Sequence, residues 1–180
     1  MIARGYKLFR IGRGDLFPLY VNADKPTPSG VWLEAEEGPR NDAGKVRSKL
    51  GELAYRPGWH LCDLAPYATH IGVKDTKTGK IIAQKWDHVW AEVDYWDDID
   101  YSEEAIANGT RNGRIIPRLC QLDHIPRNGF YRYKTNPNMF GSWIIAGRIR
   151  VNRVLSDEDV ERLCAIHGLV PLPHQQKPTK

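Results

Sequence analysis

The sequence predicts an α+β fold, made mostly of antiparallel strands with short helices and one C-terminal helix. Two observations support this: apolar and polar residues alternate over much of the chain, and one segment near its end has helical periodicity. Turns rich in Gly, Pro and Asn separate the alternating segments, which is typical of antiparallel connections. The length of 180 residues suits one domain, placed at residues 1–170. Residues 171–180 are rich in Pro, Gln and Lys and are expected to form a flexible tail.

The strongest strand patterns lie in the second half of the chain. From Trp86 to Trp96, apolar residues alternate with polar ones at a period of two. Residues 142–155 are apolar over a length that suits two strands, with a kink at Gly147. Further strands are expected at Tyr6–Arg10, Leu16–Val21, Val31–Ala35, Ile81–Ala83, Ile115–Leu122 and Phe130–Lys134.

The C-terminal helix has the clearest start signal in the chain. Ser156 is in the N-cap position, and Asp159 follows three residues later, close to a capping box. Acidic residues in the first turn favour the positive end of the helix dipole. The expected apolar face consists of Val160, Leu163, Cys164 and His167, and Gly168 ends the helix. A single helical turn is also expected over residues 102–108, capped by Gly109.

A turn, a strand and a helix are predicted in the middle of the chain. Pro57-Gly58 forms the turn, Trp59 to Leu61 form a short strand, and Asp63 is a candidate N-cap for a short helix. His60 then lies near a strand end and His70 near the end of the helix. Polar aromatic groups beside a helix N-terminus indicate a candidate ligand site.

Composition excludes several classes of protein. The formal charge of +4 and a sequence pI of about 9.0 are mildly basic and fall short of the extreme typical of nucleic-acid binders. The three cysteines are widely spaced without a C-x-x-C pair, so neither a zinc ribbon nor a disulfide framework is indicated. The sequence shows neither a signal peptide nor an apolar segment that could span a membrane. We therefore expect a soluble protein of the cytoplasm, with no membrane partner.

The order of these elements resembles the ADP-ribosyltransferase-like fold. Phe9-Arg10 is similar to the aromatic–Arg pair that ends an early strand in that family. The segment from Gly58 to Asp63 is similar to its Gly-aromatic strand, and His88 to Asp100 is similar to the strand that ends in acids. The resemblance implies a split antiparallel sheet that grips NAD, as substrate, in a central cleft.

The resemblance also implies roles for individual residues. Arg10 would contact the pyrophosphate or ribose, Trp59 and His60 the nicotinamide side, and Tyr67 or Tyr133 would cover the ring. The family's catalytic acid is missing from its usual place before a late strand. That place holds Asn136, Asn138 and Ser142, which leaves Glu92 or Asp123 as other sources of a carboxylate. The implied catalytic residues are His60, Asn136 and Asn138, and the implied NAD-binding residues are Arg10, Trp59, His60, Tyr67, Tyr133 and Ser142. Because Asn supplies no negative charge to a developing oxocarbenium ion, the resemblance favours an NAD pocket over turnover.

Three other segments resemble a poorly characterised domain of phage and mobile-element proteins, including large polyvalent ones. They are Tyr55 to His60, Tyr131 to Met139 and Val151 to Val160. The resemblance implies action in a bacterial host cell, where such proteins often modify or block host defence. The leading hypothesis is thus a phage or mobile-element protein with an NAD-binding cleft that modifies a host protein.

Alternative functions remain open at the level of the sequence. A non-catalytic inhibitor could bind a host protein or nucleic acid through a basic aromatic face, built from residues 131–134 with Arg148, Arg150 and Arg153. A cluster of acids from Asp94 to Asp100 could hold Mg²⁺ for nuclease chemistry, although a solvated strand end explains it better. Zinc bound by His60, Cys62 and His70 lacks a fourth ligand, and nothing marks Cys62 as an activated nucleophile.

Overall fold

The structure, a computed structural model, describes residues 1–38, 40–48 and 51–179. Its helices are α1 (Ser102–Asn108) and α2 (Asp157–Ala165), with a 3-10 turn at Pro117–Leu119. Its strands are β1 (Ile2–Gly12), β2 (Asp15–Phe17), β3 (Trp32–Glu34), β4 (Lys45–Ser48), β5 (Gly51–Ala54), β6 (Trp59–Cys62), β7 (Val73–Lys74), β8 (Ile81–Ala83), β9 (His88–Trp96), β10 (Ile99–Asp100), β11 (Thr110–Arg111), β12 (Arg114–Ile115), β13 (Gly129–Tyr133), β14 (Trp143–Ala146) and β15 (Arg148–Val154).

A nine-stranded sheet forms the body of the protein, in the order β10-β13-β14-β6-β1-β9-β15-β3, with β2 paired to β1. All of its pairings are antiparallel except that of β10 with β13. Three hairpins, β4–β5, β7–β8 and β11–β12, lie outside the sheet. The predicted fold class, mostly antiparallel with short helices and one C-terminal helix, is confirmed. Among the described residues, no helix has the length and apolar character needed to cross a membrane.

The central strands are buried on both faces. β1 pairs with β9 at every residue from Ile2 to Arg10. One face packs around Phe9, Leu61 and Tyr95. On the other face, α2 lays Val160 and Cys164 on a second cluster, whose buried strand residues are Tyr6, Leu8, Cys62 and Trp90. Burial on both faces explains why the run from Val89 to Tyr95 is largely apolar or aromatic.

The sheet consists of two halves that meet at a narrow junction. β6 pairs with β14 over its whole length, and β1 pairs with β9, but β1 and β6 share the single residue pair Tyr6–Cys62. One further link crosses there, because the Lys7 ammonium donates a hydrogen bond to the backbone oxygen of His60 over 3.0 Å. Away from this junction the two strands separate, so the sheet is split between them.

The short helix predicted after Asp63 does not form. Residues 63–72 are turns and bends, all within the described part of the chain. The Asp63 carboxylate accepts hydrogen bonds from Leu64 N at 2.7 Å and from Ser142 N at 3.0 Å. Because the carboxylate is bound by Ser142, far away in sequence, it does not cap a helix.

The strand predicted at Ile115–Leu122 is also wrong. Strand β12 ends at Ile115, and Pro117 begins the 3-10 turn instead. Proline has no backbone N–H to donate to a strand neighbour, which favours a turn at this point.

The C-terminal segment differs from the flexible tail expected from its composition. Gln84 N donates to Pro173 O at 2.9 Å, and Gln175 N donates to Gln84 O at 2.8 Å. The His174 ring lies 3.0 Å from both the Asp157 carboxylate and the backbone oxygen of Lys85. Residues 173–175 are therefore attached to the body of the protein.

Candidate functional site

A cleft with a volume of about 620 Å³ lies at the split in the sheet. One wall comes from Tyr6, Lys7 and Leu8 of β1, and the facing wall comes from β6. The loop over residues 18–22, the β4–β5 hairpin and residues around His70, Tyr133 and Trp143 form further parts of the wall. A volume of this size lies within the range of small-molecule and cofactor sites.

The walls of the cleft are mainly aromatic and carry positive charge. The aromatic residues that line it are Tyr6, Tyr20, Tyr55, Trp59, Trp90, Tyr133 and Trp143. The cations that line it are Lys7 and Arg56, and the imidazoles are His60 and His70. Among the described residues, Glu36 is the one lining carboxylate, and it is ion-paired with Lys25. The cleft therefore suits a flat ring attached to a negatively charged group.

Gly58 allows β6 to approach its neighbours at the edge of the cleft. Its φ of 142° lies in a region that favours glycine. A Cβ at this position would lie 2.4 Å from Ile145 Cγ2 and 3.1 Å from the backbone oxygen of Ala146. The turn holds the start of β6 against β14, and Trp59 Nε1 then donates to Leu33 O at 3.2 Å.

His60 lies on the wall formed by β6, with a solvent-accessible side chain inside a deep concave surface. The surrounding protein atoms lower the pKa of its imidazole through desolvation, and the positive charges of Lys7 and Arg56 lower that pKa further. The imidazole is therefore neutral at physiological pH and offers one nitrogen as a hydrogen-bond acceptor.

Lys7 lies opposite His60, at the junction of the two half-sheets. Its Nζ is 5.5 Å from the ring centroid of Phe9 and 5.7 Å from that of Trp59. Within the described part of the chain, no carboxylate lies within ion-pair distance of its Nζ. Desolvation lowers the pKa of Lys7 to about 8.

Arg56 supplies the second positive charge of the cleft. Its guanidinium carbon lies 4.5 Å from the ring centroid of Tyr133, and it donates a hydrogen bond to the backbone oxygen of Arg118. Burial raises the pKa of Tyr133, so its hydroxyl stays protonated.

The structure brings together three of the residues proposed for NAD binding and separates the others. Trp59, His60 and Tyr133 all line the cleft. Arg10 does not line it, because its guanidinium stacks at 4.6 Å on Phe17 and donates to Ala23 O at 3.2 Å. Tyr67 also lies outside, in edge contact with Phe140 at 6.2 Å. Arg10 and His60 therefore do not face each other across the cleft.

The residues proposed in place of the catalytic acid also lie outside the cleft. Asn136 and Asn138 are exposed in one loop, where the Asn136 side-chain oxygen accepts from Asn138 N at 2.9 Å. Ser142 N donates to Asp63, as described above. The carboxylate of Glu92 is ion-paired with Arg4 at 3.5 Å and with Arg153 at 3.7 Å. None of these residues lines the cleft beside His60.

The charged clusters behind the alternative functions are occupied by internal contacts. Asp94 pairs with Arg150 at 2.8 Å, and Asp97 lies 3.5 Å from the N-terminal ammonium. Within residues 1–38, 40–48 and 51–179, no group of three or more His, Cys, Asp or Glu side chains could hold a metal ion. The rings of Tyr131 and Tyr133 are buried, so β13 does not present them to a nucleic acid.

Several lining residues were missed by sequence reasoning. Lys7 is the most important, because a lysine between Tyr6 and Leu8 in an alternating strand reads as a solvated position. Tyr20 and Tyr55 come from a loop and from the end of a hairpin, and both line the cleft through tertiary packing. A lysine within a strand that is apolar on both sides is the one signal that could have revealed part of this wall.

Comparison of the chain with protein-family models, with curated proteins and with solved structures finds no match.

Proposed function

We propose that the cleft binds a nucleotide of the NAD type. The observation that supports this most is the combination of a volume of about 620 Å³, aromatic walls and two cations at the split in the sheet. A base or nicotinamide ring can stack on the aromatic side chains of the cleft, above all on Trp59. Arg56 and Lys7 would then lie close to the phosphates.

We also propose, from the resemblance of the sequence, that the protein acts in a phage or mobile-element setting and transfers ADP-ribose to a host protein. The geometry supports binding more strongly than transfer. A transferase of this type uses a carboxylate to stabilise positive charge as nicotinamide leaves. Glu36 is the candidate within the described cleft, and its ion pair with Lys25 would have to open first.

The decisive experiment is NAD titration by calorimetry with three variants. Trp59→Ala removes a stacking wall and should weaken binding about 10-fold or more, since base–aromatic stacking is worth roughly 1–3 kcal/mol. Arg56→Gln should also weaken binding. Arg10→Gln is the matched control, because its guanidinium lies outside the cleft and its loss should leave the affinity unchanged. Loss of binding in R10Q with retention in W59A would overturn this placement of the site.

Transfer is tested separately with NAD labelled in the adenine portion, incubated with the protein and a bacterial lysate. Label that appears on a host protein, and disappears with W59A, supports ADP-ribosyl transfer. Binding without label identifies a nucleotide-binding protein that does not transfer. If NAD neither binds to the protein nor leaves label on a host protein, the proposed function is rejected. The inhibitor alternative then remains, and a pull-down from host lysate would test it.

A further inference from the structure

We propose that Lys7 is a nucleophilic amine and that the cleft captures a ligand with an aldehyde or ketone group as a Schiff base on Lys7 Nζ. This inference goes beyond nucleotide binding and does not depend on it. It rests on where the ammonium group lies, on which groups surround it and on the groups that are missing from its neighbourhood.

Lys7 is half-buried, and its amine is accessible to a ligand in the cleft. The residue lines the cleft at the point where β1 leaves β6. Its Nζ contacts a neutral acceptor, the backbone oxygen of His60 at 3.0 Å, and lies near the rings of Phe9 and Trp59. A ligand that enters the cleft therefore meets the amine beside an aromatic wall.

Desolvation favours the neutral form of Lys7. Within the described residues its Nζ has no carboxylate partner that would hold the amine in its charged form. Burial raises the pKa of the Cys62 thiol to about 12, so Cys62 brings no negative charge, and the imidazole of His60 is neutral. With a pKa of about 8, roughly a tenth of Lys7 is unprotonated at pH 7, against less than about 0.1% for an ordinary lysine.

The chemistry needs no further reagent. The nitrogen lone pair of neutral Lys7 attacks the carbonyl carbon, a C–N bond forms as the C=O π bond opens, and one proton passes from the nitrogen to the oxygen to give a carbinolamine. The C–O bond then breaks, the hydroxyl group leaves as water with the second proton of the nitrogen, and a C=N bond forms, which leaves the imine. Solvent water can carry both protons. Nothing is oxidised or reduced in this sequence.

The surroundings define the class of carbonyl ligand. Trp59 favours a ring next to the carbonyl, and Arg56 favours an anionic substituent on that ring. Pyridoxal 5′-phosphate has both features and is a suitable probe. Benzaldehyde is the matched neutral probe, since it has the ring and the aldehyde without the anionic group.

The experiment measures the rate of covalent labelling of each lysine in the wild-type protein. The protein is incubated with each probe near pH 7.5, reduced with borohydride and mapped by peptide mass spectrometry. We expect both probes to label Lys7 about 10-fold or more faster than the exposed lysines Lys74 and Lys80, with a rate that rises as the pH passes through about 8. Lys7→Arg should remove the fast label, whereas Lys74→Arg should retain it.

Equal labelling of Lys7 and the exposed lysines would overturn the proposal. The proposal would also be overturned if pyridoxal 5′-phosphate labelled Lys7 preferentially and benzaldehyde did not. Attraction of the anionic probe, and not the nucleophilic character of the amine, would then explain the fast labelling. Addition of NAD separates this inference from the proposed function. Fast labelling of Lys7 that NAD does not slow would support the reactive amine and count against nucleotide binding in the same cleft.

Discussion

Lys7 shows how a single residue can change character through its neighbours. Its strand neighbours Tyr6 and Leu8 are buried on one face, and the lysine ammonium donates a hydrogen bond to the backbone oxygen of His60 at the split. An amine that would be charged and solvated on an ordinary strand is thereby placed in an aromatic cleft. The pKa of Lys7 falls for that reason.

The affinity for NAD should therefore depend on pH through Lys7. Phosphate attracts the protonated amine, so affinity should be highest below pH 8 and should fall as the pH rises through about 8. The fall should not exceed 10-fold per pH unit, the limit for one proton. Calorimetric titration between about pH 6.5 and 9.5 measures it. K7R keeps its charge and should give a flat profile, and an unchanged slope in that variant would assign the dependence to another group.

The fold requires glycine at position 58. Gly58→Ala should destabilise the protein by about 2 kcal/mol or more, because the new methyl group would collide with Ile145 and the backbone adopts a φ of 142°. Gly14→Ala is the matched control, with a φ of 83° and open space around the new Cβ. Urea unfolding of both variants measures the difference. Equal losses would show that backbone strain alone, without the collision, accounts for the effect.

The sequence revealed those site residues that lie beside strong local signals. Trp59 and His60 follow the Pro57-Gly58 turn, and Tyr133 ends an aromatic strand, so each stood out without knowledge of the fold. Arg10 was proposed from a two-residue resemblance, and the structure places it outside the cleft, on Phe17. A motif of two residues fixes neither the length of a strand nor the face on which a side chain emerges.

At the scale of the element, α2 follows its local signals closely. The Ser156 hydroxyl accepts a hydrogen bond from Asp159 N at 3.1 Å, as the capping pattern predicts. The Asp159 carboxylate also accepts hydrogen bonds from Arg162 at 2.9 Å and from Arg153 at 2.7 Å. These hydrogen bonds lower the pKa of the carboxyl to about 2. The start of the helix is therefore fixed both by its cap and by contacts with β15.

Ser156→Ala should lower the free energy of unfolding by about 1 kcal/mol, the usual value of an N-cap hydroxyl. Ser156→Asp keeps an acceptor at the same position and should change stability by a few tenths of that amount. Chemical denaturation of the two variants checks the expectation. Equal destabilisation by Ala and Asp would show that the hydroxyl contributes by packing instead of capping.

Elements were predictable where local pattern and tertiary contacts agree. The alternation from Trp86 to Trp96 became β9, and the kink at Gly147 separates β14 from β15. The helix expected after Asp63 failed because Ser142, distant in the chain, competes for the carboxylate. The β4–β5 hairpin has no strong local strand signal, since its residues alternate weakly and it pairs with no other strand of the described chain.

For the whole molecule, the C-terminal segment is the clearest test of tertiary contacts against composition. Truncation after Val170 removes the backbone partners of Gln84 and the contacts of His174 with Asp157 and Lys85. We expect a loss of about 1–3 kcal/mol in stability, measured by urea unfolding, because hydrogen-bonded groups lose their partners. Truncation after Gln175 keeps these contacts and should be nearly neutral. Wild-type stability after the longer truncation would show that the segment behaves as the tail its composition predicts.

The split itself lies beyond what local patterns can reveal. Each strand beside it has ordinary alternation, and the separation depends on β6 joining β14 while β1 joins β9. Composition could indicate a surplus of aromatic residues for a pocket, but only the pairing of distant strands shows which of them share one. The residues that line the cleft therefore had to come from the structure.

The narrow junction between the half-sheets has a mechanical consequence. β1 and β6 share one residue pair and one lysine hydrogen bond, so few backbone contacts join the two half-sheets beside the cleft. A ligand that contacts Lys7 on β1 and Trp59 on β6 would link the two half-sheets. Such a ligand should therefore also raise the stability of the fold, because it binds the folded state and not the unfolded chain.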